Sequence, residues 1–159
     1  MKIGLVSDSH GWMDCLRSAV DQMGEVDAIF HMGDCIADAR VMKTWTAAPV
    51  FMVKGNMDAY DEGNLIVKTT LGGKTILSCH GHRYNVKSEY NTLRYKALEE
   101  GADIVLFGHT HIPMIDESPE LLMVNPGSVA LPHMGGEKTF GILTIEDGAI
   151  SAVIETLRM

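Results

Sequence analysis

The sequence predicts an α/β chain whose sheets are partly parallel and partly antiparallel. Three observations lead there. Short apolar runs alternate with segments of helical period from the N-terminus onward. The later part of the chain reads mostly as strands. Five successive strand ends carry Asp, Asn or His close to glycine.

Lys2–Ser7 opens the chain as a short buried strand. Over Asp14–Met23, Leu16, Ala19, Val20 and Met23 recur at helical spacing on one face. Asp27–Phe30 is a second strand, Ala37–Thr46 a weaker helix, and Val50–Val53, behind Pro49, a third strand. Leu65–Leu71 and Lys74–Ser78 flank Gly72-Gly73, a hairpin signal because glycine accepts the positive φ angles of a tight turn. Ser88–Glu100 is the strongest helix, with Ser88 as its cap and Gly101 as its stop. Asp103–Phe107, Met114–Asp116, Leu121–Val124, Thr139–Ile145 and Ala149–Leu157 complete the strands, and Asp147-Gly148 turns the last pair. No linker, repeat or low-complexity stretch interrupts residues 1–159, so a single domain is expected.

Composition narrows the function. The 159 residues carry 13 Lys+Arg against 21 Asp+Glu, a net charge of −8. Duplex nucleic acid is disfavoured as the main partner, since that contact needs a basic stripe. Phosphate chemistry stays open, because bound divalent cations reverse the local field. Only Ile3-Gly4-Leu5-Val6 follows Met1-Lys2 before Ser7-Asp8, too little for a signal peptide or a membrane span. Cys15, Cys35 and Cys79 are odd in number, widely spaced and without a C-x-x-C pair, which points to buried thiols in a reducing compartment. A cytoplasmic protein is therefore expected.

The chemistry concentrates at strand ends. In order these read Asp8-Ser9-His10, Gly33-Asp34, Gly55-Asn56-Met57-Asp58, His80-Gly81-His82 and Gly108-His109-Thr110-His111. The crevice beyond the carboxyl ends of parallel strands is where open α/β sheets bind ligands. Asp8, Asp34 and Asp58 would converge there. Two unit charges about 4 Å apart repel by roughly 4 kcal/mol at an effective dielectric of 20, and a cation is the usual compensation. Mixed carboxylate, imidazole and amide ligands suit Mn, Fe, Co, Ni or Zn better than Ca or Mg. The ligands suffice for two ions. A P-loop is excluded because Lys68 stands where Gly73-Lys74-Thr75 would need a glycine. No H-E-x-x-H or early G-x-G-x-x-G occurs, and Tyr84 and Pro113 replace the aspartates of a metallo-β-lactamase pattern.

The series D-x-H, G-D, G-N-x-D, H-G-H and G-H-T-H, from Lys2 to about Ser128, resembles the calcineurin-like metallophosphoesterase superfamily. Within it the chain resembles the small single-domain phosphodiesterases of the YfcE type, relatives of a retromer subunit with the same fold. The resemblance implies two mixed β-sheets packed as a sandwich with flanking helices, and two divalent metal ions. Manganese is the first expectation, with Ni, Fe, Co or Zn as alternatives. Asp8, His10 and His111 would hold one ion, Asn56, His80 and His109 the other, and Asp34 would bridge them. Asn125-Pro126-Gly127-Ser128 matches a further family signature, read as a tight structural turn.

Many members of the superfamily place a histidine after Gly-Asn as a general acid, but Met57 stands there in this chain. Asp58, His82 or water would have to protonate the leaving group, with a second role open for Asp58 in orienting a metal-binding histidine. The implied reaction is hydrolysis of a small phosphodiester by a metal-activated hydroxide. A phosphomonoesterase, a nucleotide pyrophosphatase and a non-catalytic interaction scaffold are the alternatives. His31 is expected in the core and His133 in solvent. No membrane partner is expected, and a homo-oligomer, dimer or tetramer, is.

Overall fold

The computed structural model describes residues 1–159. The elements run β1 (Lys2–Val6), α1 (Met13–Met23), β2 (Ala28–His31), α2 (Ile36–Met42), β3 (Val50–Met52), β4 (Ile66–Leu71), β5 (Lys74–Cys79), α3 (Asn91–Glu99), β6 (Ile104–Leu106), β7 (Pro113–Glu117), β8 (Leu122–Pro126), β9 (Thr139–Glu146) and β10 (Ala149–Thr156). A single 3₁₀ turn spans His82–Tyr84.

The strands form two five-stranded sheets, ordered β10-β9-β1-β2-β3 and β4-β5-β6-β8-β7. Each has a parallel core, β1/β2/β3 in one and β5/β6/β8 in the other, flanked by antiparallel strands. The expected sandwich is what the chain builds. Its filling is apolar and comes from both sheets. Ile3, Leu5 and Phe30 of the first meet Ile76, Ile104, Leu106 and Val124 of the second, all essentially without solvent contact. The parallel strands are short continuous apolar runs because both of their faces are covered. The amphipathic face of α1, through Leu16, Ala19 and Met23, covers the outside of the first sheet with Val6 and Ile29. Leu93 and Ala97 of α3 pack with Leu77, Val105 and Phe107 outside the second. No helix is long and apolar enough to cross a membrane.

Two boundaries differ from expectation. The third helix begins at Asn91, because residues 85–90 are taken up by turns around Asn85, whose carbonyl accepts from Ser88 N and Glu89 N. Glu89 then accepts from the N–H groups of Asn91 and Thr92, in place of the cap expected from Ser88. The second helix stops at Met42, where the Thr44 hydroxyl donates to the Val41 carbonyl and draws the backbone into a turn.

Candidate metal centre

The six parallel strands end on the same side of the sandwich, and their backbones continue to pair past the strands. Asp8 N donates to Gly33 O at 3.0 Å, Gly108 N to His80 O at 3.0 Å and Val129 N to Ser7 O at 3.3 Å. The residues after β1, β2, β3, β5 and β6 are thereby gathered at the seam between the sheets. Nine non-glycine residues have positive φ, and five of them are expected ligands: Asp8, His10, Asp34, His109 and His111. Left-handed backbone costs about 1–2 kcal/mol at a residue with a Cβ, so the packing around these turns must hold them there.

The close approach of glycine explains two of the motifs. A Cβ at Gly55 would lie 1.9 Å from Asp34 Oδ1, and a Cβ at Gly108 would lie 2.0 Å from Ser7 Oγ and 2.6 Å from Asp8 Oδ2. Both aspartates occupy space that only glycine leaves.

Two groups of donor atoms result. Asp8, His10, Asp34 and His111 form one, and Asp34, His80 and His109 form the other, each with its atoms within 4.8 Å of one another. Asp34 belongs to both. Its Oδ2 lies 3.3 Å from His80 Nε2 and 3.7 Å from His10 Nε2, while its Oδ1 accepts from Met57 N at 3.1 Å. Asp8 Oδ2 accepts from the Ser7 hydroxyl at 2.5 Å and from His109 N at 3.1 Å. Asp8 Oδ1 is fully buried and receives no hydrogen bond of good geometry, although His111 Nε2 is 3.1 Å away and His80 Nε2 3.8 Å.

The tautomers sharpen this arrangement. His80 Nδ1 lies 2.7 Å from Met32 O and His111 Nδ1 2.5 Å from Leu131 O. A carbonyl only accepts, so Nδ1 carries the proton in both rings and each neutral Nε2 presents a lone pair to the aspartates. His109 Nδ1 sits 3.2 Å from His80 Nε2, and His10 Nε2 sits 3.4 Å from His111 Nε2. The Nε2 lone pairs of His80 and His111 face the carboxylates of Asp8 and Asp34, an arrangement that a proton or a cation relieves. Burial alone would lower the His80 pKa, but hydrogen bonding to Asp34 and the charges of Asp8 and Asp34 raise it. The Asp8 carboxylate likewise raises His111. Burial works to raise Asp34, yet its hydrogen bond and charge pairing with His80 bring it down to about 2. Desolvation and the neighbouring His80 charge lower His109 to about 4. Buried carboxylates with uncommitted imidazole nitrogens are a fitting donor set for divalent metal.

Three expected residues stand apart from these groups. Asn56 is exposed on the turn between Gly55 and Met57, both of which touch Asp34. Asp58 is bound to backbone. Its Oδ1 accepts from Ile36 N at 2.8 Å and Cys35 N at 3.1 Å, and its Oδ2 from Gly55 N at 2.7 Å. It therefore clamps the Asn56 turn to the start of α2, and its hydrogen bonds run to no histidine. The His82 ring lies 5.5 Å from that of His80 and 6.1 Å from that of His109, with a buried, unpartnered Nδ1. Burial and the His80 charge lower its pKa.

Further groups support the site from behind. His31, 1% exposed, accepts from Gly33 N at Nδ1 and so donates from Nε2 to the Ser9 hydroxyl, 2.9 Å away. Asn125 donates to Gly108 O at 2.9 Å and Thr110 Oγ1 at 3.0 Å, and Ser128 donates to Asp8 O at 2.8 Å. The Asn-Pro-Gly-Ser signature is thus a buried brace for both ligand loops. Burial pushes the Cys79 thiol up to about 12 and Cys35 up to about 11, and neither sulfur belongs to either donor group.

This fold and this cluster of carboxylates and imidazoles at its strand ends define a metallophosphoesterase. Residues 1–148 match the calcineurin-like phosphoesterase superfamily domain, and the chain belongs to that family. It is 35% identical over 150 residues to the probable metallophosphoesterase YsnB of Bacillus subtilis, spanning 94% of this chain and 87% of that one. Phosphodiesterase YfcE of Escherichia coli K12 is 25% identical over 167 residues, spanning 90% of this chain and 87% of YfcE. The crystal structure of a conserved uncharacterized protein, a predicted phosphoesterase, from Streptococcus pneumoniae TIGR4 superposes with a TM-score of 0.84 at 33% identity. It spans 98% of this chain and 88% of that one.

Proposed function

We propose that the chain is a phosphodiesterase whose two donor groups hold a pair of divalent cations with Asp34 shared between them. The observation that carries this is Asp34 itself, with Oδ2 turned toward His10 of one group and His80 of the other. Asp8, His10 and His111 complete the first group. His80 and His109 complete the second, with the Asn56 amide available from the adjacent turn. The set suits Mn, Fe, Co, Ni or Zn. Cations held there supply Lewis-acid polarisation of a phosphoryl oxygen and lower the pKa of water toward about 7.

The chain's own part is positional. The carbonyls of Met32 and Leu131 fix the rings of His80 and His111, and the Met57 N–H fixes Asp34. Protonation of the leaving oxygen falls to His82 or to solvent, because Asp58 is committed to three backbone N–H groups. Esters with good leaving groups are therefore expected to react faster than alkyl esters, a positioned acid being worth about 10²–10⁴-fold. A phosphodiester bears one negative charge, and the environment matches that. Lys54 is spent on the Tyr60 carbonyl and Arg94 on Asp116, so neither adds a cation for a polyanionic substrate.

The test is to strip the protein of metal, add back Mn, Ni, Mg and Zn, and assay an activated aryl diester beside its monoester. Metal-dependent hydrolysis led by the diester is expected, together with loss of metal binding and activity in Asp34→Asn. A monoester preference would reassign the substrate class. Metal binding without turnover of any ester would favour a scaffold.

A further inference from the structure

Twelve large hydrophobic side chains are exposed on this chain. Six of them, Trp12, Met57, Tyr60, Ile112, Leu131 and Met134, lie on the loops that follow β1, β3, β6 and β8, at the end of the sandwich where the donor groups sit. Beside the cluster opens a cavity of about 490 Å³, lined by His109, Thr110, His111, Ile112 and His133 together with Val86, Lys87 and Tyr90. The Tyr90 ring rests at 5.7 Å on that of Phe107, which is fully buried, so this wall is backed by core. Lys87 has no carboxylate partner within 4.0 Å. The cavity thus offers the Tyr90 ring, the aliphatic side chains of Val86 and Ile112 and the Lys87 ammonium, with Thr110 and His133 as further polar lining, beside one histidine of each donor group.

We propose that this cavity receives the ester substituent that is not expelled, and that the substrates are phosphodiesters whose retained substituent is aromatic or otherwise apolar. The proposal rests on the phosphodiesterase reading above and adds the chemistry of the substrate's second arm. Tyr90 and Ile112 determine specificity by covering that arm. Lys87 lies at the same wall and matches the single charge of a diester.

The test compares two diesters that share the p-nitrophenolate leaving group, p-nitrophenyl phenyl phosphate and p-nitrophenyl methyl phosphate, with the metal-loaded protein. The phenyl ester is expected to lead in kcat/KM by about tenfold or more once each value is divided by that ester's uncatalysed rate, which removes the electronic difference between phenoxy and methoxy and leaves the burial of the apolar arm. In Tyr90→Ala that ratio collapses toward one. In Tyr90→Phe it persists, because the ring and its packing on Phe107 remain. Tyr95→Ala, exposed on α3 and outside the cavity, also keeps it. Should Tyr90→Ala fail to fold, Ile112→Ser carries the same comparison at an exposed position. As a second readout, phenylphosphonate is expected to inhibit the wild type better than methylphosphonate, with the advantage lost in the same variants. A ratio near one in the wild type, or one preserved in both Tyr90→Ala and Ile112→Ser, overturns this inference and leaves the phosphodiesterase standing. No hydrolysis of either ester overturns the phosphodiesterase reading, and this inference with it.

Discussion

A methyl group at Gly55 would place its carbon 1.9 Å from Asp34 Oδ1 and 2.6 Å from Asp34 N, so Gly55→Ala must push the shared carboxylate away from its histidines. A displacement of about 1 Å at a reacting centre costs on the order of 10²-fold in rate. Gly55→Ala is therefore expected to fold, to bind metal more weakly, and to lose about 10²-fold in kcat/KM with an activated diester. Activity equal to wild type would show that Asp34 tolerates the move. Asp58 makes a second prediction of this kind. Its carboxylate receives three backbone N–H groups and touches no imidazole, so it is a positioning residue. Asp58→Asn should weaken metal affinity by about 10–100-fold, as is usual when a supporting hydrogen bond is lost. The shape of the pH–rate profile should not change. A lost acid limb would instead identify Asp58 as the proton donor. Residues of this kind separate what sequence conveys from what it omits. The positions of the candidate donors were legible because strand ends and residue types together define them. The Nδ1 protons were not, because their partners are the carbonyls of Met32 and Leu131, which every residue possesses. Nor was the role of Asp58, since an aspartate three residues after Gly55 in a strand-end turn reads equally well as ligand, acid or clamp.

The strand-end turn after β8 shows how one element holds another's chemistry. Asn125 is fully buried, and its amide binds the Gly108 carbonyl and the Thr110 hydroxyl, the residues on either side of His109. Asn125→Asp would turn a donor into a buried anion facing a carbonyl oxygen. Uncompensated burial of that sort costs about 3–5 kcal/mol. The variant is expected to melt at lower temperature and to lose His109 and His111 as ligands. Denaturant unfolding and metal titration would check the two effects separately, and an unaltered midpoint would show that the brace is dispensable. At this scale each expected strand and helix is found, since hydrophobic period and glycine turns are local signals. The departures have local competitors as causes. Glu89, a long side chain outside the usual capping types, takes the N-terminal N–H groups of α3. The Thr44 hydroxyl ends α2 early. The left-handed angles at Asp8, His10, Asp34, His109 and His111 had no sequence signature beyond residue types that tolerate them.

Across the whole molecule the donor groups straddle the seam of the sandwich. Asp8, His10 and Asp34 follow strands of one sheet, and His80, His109 and His111 follow strands of the other. A cation bound by both sides binds the folded state alone, so divalent metal at about 100 times its dissociation constant should stabilise the protein by roughly 2.7 kcal/mol. Asp34→Asn should abolish the thermal shift, and a shift of equal size in that variant would place the metal elsewhere. Stability without metal should also depend on pH, through His31. Burial lowers its pKa from 6.5 to about 4, against the pull of Asp8, Asp38 and Asp58, and its ring is wedged between Ser9 and Gly33. Between those two values the unfolded chain binds a proton that the folded chain refuses, so folding stability falls as pH is lowered. The full difference is about 3 kcal/mol, present above pH 6.5 and gone below about 4. The raised pKa values of His80 and His111 act in the opposite sense, their contribution fading as pH rises, so the raw pH–stability curve mixes both effects. Subtraction isolates His31. His31→Gln keeps a donor and an acceptor but cannot titrate, and it should be less stable than wild type at pH 7 because the ring's packing is lost. That gap should close by about 3 kcal/mol, and can reverse sign, as the pH drops to 4. Denaturant unfolding of both metal-free proteins across this range measures it. Two parallel curves would mean that His31 charges freely within the fold, and that the pair it forms with Ser9 does not depend on a neutral ring.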